Sequence, residues 1–415
     1  MICSRYFDLG NEGPYPISWE VRGTEGENVS QQLLGLNKHL GMMGMVGSLD
    51  ESNPPILAIS KLPQGRDVMQ GWQQVLLWSV MAIFLTSVGS HWVSEYGHGS
   101  NPMGVGEFEQ SILFFTLPVV ISLIIASKAR AMVARRFDVD IGHMIPIVFP
   151  IPAWWPFGLV GVLGQKRPDL VPMPSRRALG SIEIIAPLVI SISGFVLTLA
   201  GLMMTSSSPP ELEGPPVVFD ASLFASSLAE SWMGDEMGVR MQWLHPLGVA
   251  GIALSLVGWG LMLPIPGLPG DRVLQSVIGP SEMREGRTQT AIFLAVLVAM
   301  VVVFATAEWS PWIFLAFFAA WQRFSPDNVP QPIVLDEYEE LDERVRSRFV
   351  SLTMIILLAG MPGAVPSYDL ENYDSGLQTA TWADELQVSP GKDSTLELDI
   401  VPSGADSYTH LTLPT

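Results

Sequence analysis

Long uncharged runs separated by short polar stretches dominate the chain. They cover 72–93, 110–127, 184–210, 241–270, 288–307, 309–322 and 349–368. A helix needs about 20 mostly apolar residues to cross ~30 Å of hydrocarbon. The pattern therefore predicts an α-helical polytopic membrane protein with about seven spans between residues 72 and 368. Another uncharged run, 141–165, contains Pro146, Pro150, Pro152 and Pro156. Each proline removes a backbone donor and clashes with the preceding turn, so no regular helix can form there. Irregular backbone at membrane depth must be buried in protein or line a cavity. The expectation for 141–165 is a re-entrant element with extended pieces.

Before the first run, 1–71 alternates between element types. Ile17–Arg22 and Pro55–Pro63 have the period of strands. Asn28–Leu40 carries Leu33, Leu34, Leu36 and Leu40 at helical spacing. This predicts a small α/β domain. After 368 the chain turns polar. A Pro-Gly turn and the alternation of Leu396, Leu398 and Ile400 suggest the start of a β-sandwich over 369–406. The closing segment Ser407–Thr415 reads as a non-native tail and takes no part in the fold reasoning.

Composition sharpens this picture. The chain is 48% hydrophobic and 15% charged, which suits a polytopic membrane protein better than a soluble enzyme. Of its 22 Lys and Arg, all but Arg240 and Lys392 fall in 1–71, 128–177, 271–287 and 323–348. The positive-inside rule then places the N-terminus in the cytoplasm and the C-terminus outside it. The formal net charge of −19 argues against a nucleic-acid partner, which demands clustered Lys and Arg. Cys3 is the only cysteine, so disulfides within the chain and cysteine-based metal sites are excluded.

Two segments carry candidate chemistry. Residues 245–273 read HPLGVAGIALSLVGWGLMLPIPGLPGDRV, an uncharged helix ending in a Leu-Pro-Ile turn. Residues 156–188 read PFGLVGVLGQKRPDLVPMPSRRALGSIEIIAPL. The first resembles the stretch of site-2 proteases that supplies their third zinc ligand, with Leu263, Pro264, Ile265, Leu268 and Gly270 in place. The second resembles the stretch between that family's second and third core helices, through Pro156, Phe157, Gly158, Gly161, Arg176, Leu179, Ile182 and Pro187. The resemblance covers roughly 111–280. It is nearest the plant and archaeal branch with a cytosolic front domain.

The resemblance implies a zinc helix just before the re-entrant element, carrying His-Glu-x-x-His. That spacing sets two ligands on one helix face with the glutamate as general base. Here the matching positions hold Ala126, Ser127 and Arg130, and Pro269 stands where the family has its aspartate. Alanine and proline side chains have no donor atom, and a guanidinium has no free lone pair. The expected metal set is therefore none. The implied function is a degenerate member that binds or regulates membrane proteins, or single-span peptides, without cleaving them. The Gly-rich element at Phe157, Gly158, Val160 and Gly161 would form the binding groove. Two alternatives stay open: an active zinc metalloprotease with displaced ligands such as Asp271 and His143, and a membrane anchor for the soluble domains. Finally, a cation inside an apolar helix is expensive unless it meets an acid or reaches the interface. Arg130 is therefore expected to pair with Glu183 or Asp271, or else to reach the headgroups.

Overall fold

The structure is a computed structural model. It describes residues 2–362 apart from 25–27, 64–68, 97–103, 153–154, 167, 208–220, 235, 285–286, 305–316, 318 and 322–330. The expected β-sandwich start, the tail and most of the expected span 309–322 lie outside the described residues.

The N-terminal unit is a four-stranded antiparallel sheet with one helix. Strands β1 (Phe7–Glu12), β2 (Ser18–Gly23), β3 (Met45–Leu49) and β4 (Ile56–Lys61) are ordered β1-β2-β4-β3. Helix α1 (Val29–Gly41) starts at Asn28, whose side chain accepts the Ser30 N–H. It lays Leu33, Leu36 and Leu40 on the sheet, against Phe7, Val21, Leu49 and Leu57. Strands β1 and β3 escape a pattern-based reading. The first is Phe-Asp-Leu-Gly-Asn-Glu, and the second is a short stretch among glycines and methionines.

Among the described residues, three helices are long and apolar enough to cross a membrane, fewer than the roughly seven spans expected. They are α2, whose apolar part is Gly71–Ser94, α3 (Glu107–Arg135) and α4 (Arg176–Met204). Helix α3 includes a π-helical turn at Ile112–Thr116. Between α3 and α4 lies a hairpin of β5 (Met144–Val148) and β6 (Leu159–Gly164), followed by the short strand β7 (Pro172–Met173). The prolines thus occupy a β-hairpin and its connection, where missing donors cost least.

Two short helices, α5 (Leu223–Met233) and α6 (Glu236–Gln242), precede the apolar α7 (Pro246–Met262). The uncharged run 241–270 is therefore not one helix. Pro264 cannot donate, so α7 stops at the Leu263 turn, and α8 (Pro269–Ile278) restarts with Pro269 in its first turn. Helices α9 (Pro280–Arg284) and α10 (Arg287–Phe304) follow. The strand β8 (Ile333–Val334) leads to α11 (Glu343–Ala359), the last helix among the described residues. That helix departs from the expected span 349–368. Asp342 caps it by accepting the Arg344 N–H, so its first turns carry Arg344, Arg346 and Arg348. Its apolar part is only 349–359, short of a full crossing.

Helices α4 and α7 pack with almost no side chain between them. An added Cβ at Gly201 would lie 2.1 Å from Gly248 N, and one at Gly251 would lie 2.2 Å from Thr198 N. Gly194 and Gly258 abut Ser255 and Ser191 in the same seam. Small residues let helix backbones approach closely, the arrangement that helices in lipid favour.

Candidate functional site

The C-terminal half of α3 carries three of the residues singled out by sequence. Ala126 is fully buried in the main core cluster. Ser127 is buried beside it, and its Oγ accepts the Met144 N–H at 3.1 Å. This bond ties the start of the hairpin to α3. Arg130, one turn on, reaches across to α4, where its Nη2 donates to Glu183 Oε1 at 2.7 Å. Glu183 Oε2 accepts from Arg272 Nη1 at 3.0 Å. Arg272 Nη2 also donates to Gly267 O at 2.8 Å. One buried carboxylate thus joins α3, α4 and α8.

Asp271 takes no part in that bridge. Its carboxylate is buried and accepts from Gln275 Nε2 at 2.9 Å and Gln289 Nε2 at 3.3 Å. Asp271 faces one way from α8 and Arg272 another, so the acid nearest in sequence to the lost ligand position is not the partner of Arg130. Arg272 was not singled out by sequence. The available signal was its place as the first cation after the uncharged run 241–270. Pro269 sits in the first turn of α8, where its missing N–H is no loss. Beside it, Gly270 packs so tightly that a Cβ would lie 2.1 Å from Met262 O. This end of the site is built for helix packing.

The hairpin has two unlike edges. Gln165 N donates to His143 O at 2.8 Å, which marks residues 143 and 165 as a hydrogen-bonded pair. Antiparallel pairs alternate, so 145/163 and 147/161 are bonded, while 144/164 and 146/162 point their N–H and C=O groups outward. On β5 the outward edge is closed, because Ser127 takes the Met144 N–H and Pro146 has none. On β6 the outward groups of Val162 and Gly164 have no strand beside them among the described residues, where the sheet is two-stranded. Val160 and Leu163 are 47% and 59% exposed on that strand. The hairpin is held to the helices by Trp92 Nε1, which donates to Pro156 O, and to itself by Trp155 Nε1, which donates to Leu159 O. Phe157 is fully buried, and Gly158 adopts φ +67 with Val88 3.1 Å from where a Cβ would be. Both a left-handed backbone and a close neighbour exclude a side chain there. Gly161 has open space instead.

A cleft of about 590 Å³ opens between α2, α3 and the start of β5. Trp78, Val120 and Ile124 form its apolar walls, and Ser127, Lys128 and His143 stand at one end. At the tip of the hairpin base, Lys166 Nζ pairs with Asp140 Oδ2 at 2.6 Å. The hydrogen bond from Lys166 holds the Asp140 carboxyl below its ordinary range. A depressed carboxylate contributes above its unfolded value and stops contributing as pH falls through the folded one. Asp140 is largely exposed, so this contribution is small.

Ala126, Arg130 and Pro269 offer no ligand atom, so these positions do not fit a zinc ion. Among the described residues, no three His, Cys, Asp or Glu side chains come together as a metal set. His143 lines the cleft, whereas Asp271 is engaged by its two glutamines. His245 caps α7, accepting the Leu247 N–H at 3.2 Å, with its ring against Phe114.

No family model, curated protein or solved structure matches the chain.

Proposed function

We propose that this chain is a polytopic membrane protein built like a site-2 protease but without its chemistry, which holds membrane-protein segments without cutting them. The observation that carries this reading is the hairpin. Among the described residues its β6 edge is unpaired and partly exposed, beside helices whose matching positions offer no metal donor. An unpaired edge offers main-chain hydrogen bonds to an extended partner segment, and alternate side chains then give selectivity. A separate apolar cleft of about 590 Å³ lies at the β5 side of the hairpin, by Ser127 and His143, with room for a few side chains of a partner segment. The bridge of Arg130, Glu183 and Arg272 joins α3 to α8, the two helices that carry the matching ligand positions, by way of α4. In this reading the N-terminal domain is cytoplasmic, the partners are single-span or larger membrane proteins, and zinc is not required.

The test combines two measurements on purified full-length protein. Elemental analysis should find far less than one zinc per chain. A photocrosslinker at Leu163 should capture single-span peptides, and Val160→Pro should reduce that capture several-fold by disturbing the β6 edge. Stoichiometric, chelator-sensitive zinc with cleavage would establish the displaced-ligand protease instead. Capture that Val160→Pro leaves unchanged would favour a plain anchor.

A further inference from the structure

Within the hydrogen-bonded bridge that ties the helices, two guanidiniums meet one carboxylate. Arg130 and Arg272 share the single carboxylate of Glu183. Asp271, the next acid along α8, is bonded to glutamines and not to either arginine. Arg272 Nε is buried without an acceptor. Arg130 uses only Nη2, toward Glu183. Its Nη1 lies beneath β6, 3.5 Å from where a Cβ of Gly164 would stand. Gly164 is exposed, and where its Cβ would stand lie Arg130 Nη1 and Lys166 O, each at 3.5 Å, so β6 meets the guanidinium at a residue without a side chain. A buried or half-buried cation without its own counter-charge is costly, so such a site favours an incoming anion.

We infer that the β6 edge selects partner segments carrying an acidic side chain, whose carboxylate passes beside Gly164 to Arg130 Nη1. This rests on the strand-addition reading above and names the partner's chemistry. A strand added to β6 runs about 4.8 Å from it. The residue directly beside Gly164 points its side chain to the same face as the absent Cβ, which is the face of Arg130. A glutamate there would complete a two-carboxylate, two-guanidinium set. Charge-assisted hydrogen bonds to arginine are the strong kind, and neutral glutamine cannot replace them.

The experiment uses the full chain in vesicles of neutral phosphatidylcholine, with a photocrosslinker at Leu163 on the opposite face of β6. The probes are synthetic single-span peptides: a Leu/Ala helix followed by a short Thr/Val segment. Glutamate or glutamine is placed at successive positions of that segment to scan the register. At one register the glutamate peptide should crosslink half-maximally at a concentration about tenfold lower than its glutamine twin. Arg130→Gln should erase that difference. Gly164→Val should erase it too, while leaving both arginines and Glu183 in place, so a folding defect in the first variant cannot mimic the result. Equal capture of the two peptides at every register would overturn the selectivity and leave strand addition standing. No capture of either would overturn both. A glutamate preference that survives both variants would assign recognition to another cation, such as Lys128, and would end this proposal.

Discussion

At the scale of single residues, Arg130 is the informative position. A guanidinium in the apolar body of α3 had to find an acid or the interface, and that much follows from sequence. Which acid it finds does not. Glu183 and Asp271 are both charged residues at the edges of apolar runs. The choice depends on how α8 is rotated, and that is fixed by Pro269 and by Gly270 packing against Met262. The same rotation brings in Arg272, which no spacing rule pointed to. Because Glu183 has 1% of its side chain exposed and Arg130 has 10%, the pair behaves as a buried one. Glu183→Ala, which strands two cations, should cost ~3–5 kcal/mol. Arg130→Ala should cost less, since Arg272 still neutralises Glu183. The double variant should be milder than the sum, because the two share one interaction. Thermal unfolding in a fixed detergent measures all three. Strictly additive losses would mean that the pair contributes little beyond its separate packing.

At the scale of elements, the hairpin was legible and the helix seam was not. Four prolines in 141–165 forbid a helix, and extended backbone is what remains. The Gly-rich half becomes β6, and Pro146 falls where β5 has no donor to lose inward. By contrast, the glycines of α4 and α7 look like ordinary small residues of membrane helices. Only the structure shows that Gly194, Thr198 and Gly201 mesh with Gly248, Gly251 and Ser255. The obstacle to a Cβ at Gly251 is the backbone of Thr198, which cannot rotate aside as a side chain can. Gly251→Val should therefore destabilise by at least ~3 kcal/mol, the upper end for overpacking. Gly260, on the same helix, has nothing within 4 Å, and Gly260→Ala should be close to neutral. If both variants unfold at the same temperature as the native chain, the two helices are not in such close contact.

At the scale of the whole molecule, segments far apart in sequence gather at two ends. At one end, Leu49 N donates to Leu335 O and Glu337 N to Leu49 O, while Leu335 N donates to Met173 O. The 333–337 segment thus lies between the N-terminal sheet and β7. Arg176 joins the same end through Glu51, Ser276 O and Val277 O. These contacts draw on the four stretches that hold 20 of the 22 basic residues. At the other end, Leu223 N donates to Met361 O, and Arg240 Nη1 donates to Leu202 O and Thr205 O. Under the proposed membrane reading, residues 31 and 340 are expected on one side of the membrane and 207 on the other. The positive-inside rule then predicts that the first pair is cytoplasmic. Cysteines at Gln31, Glu340 and Ser207 test both steps, since all three positions are exposed and native Cys3 is buried. In intact cells an impermeant maleimide should label only the Ser207→Cys protein, and permeabilisation should expose the other two. Opposite labelling of Gln31→Cys and Glu340→Cys would contradict the Leu49–Leu335 pairing itself. Labelling of those two with Ser207→Cys protected would keep the fold and reverse its orientation.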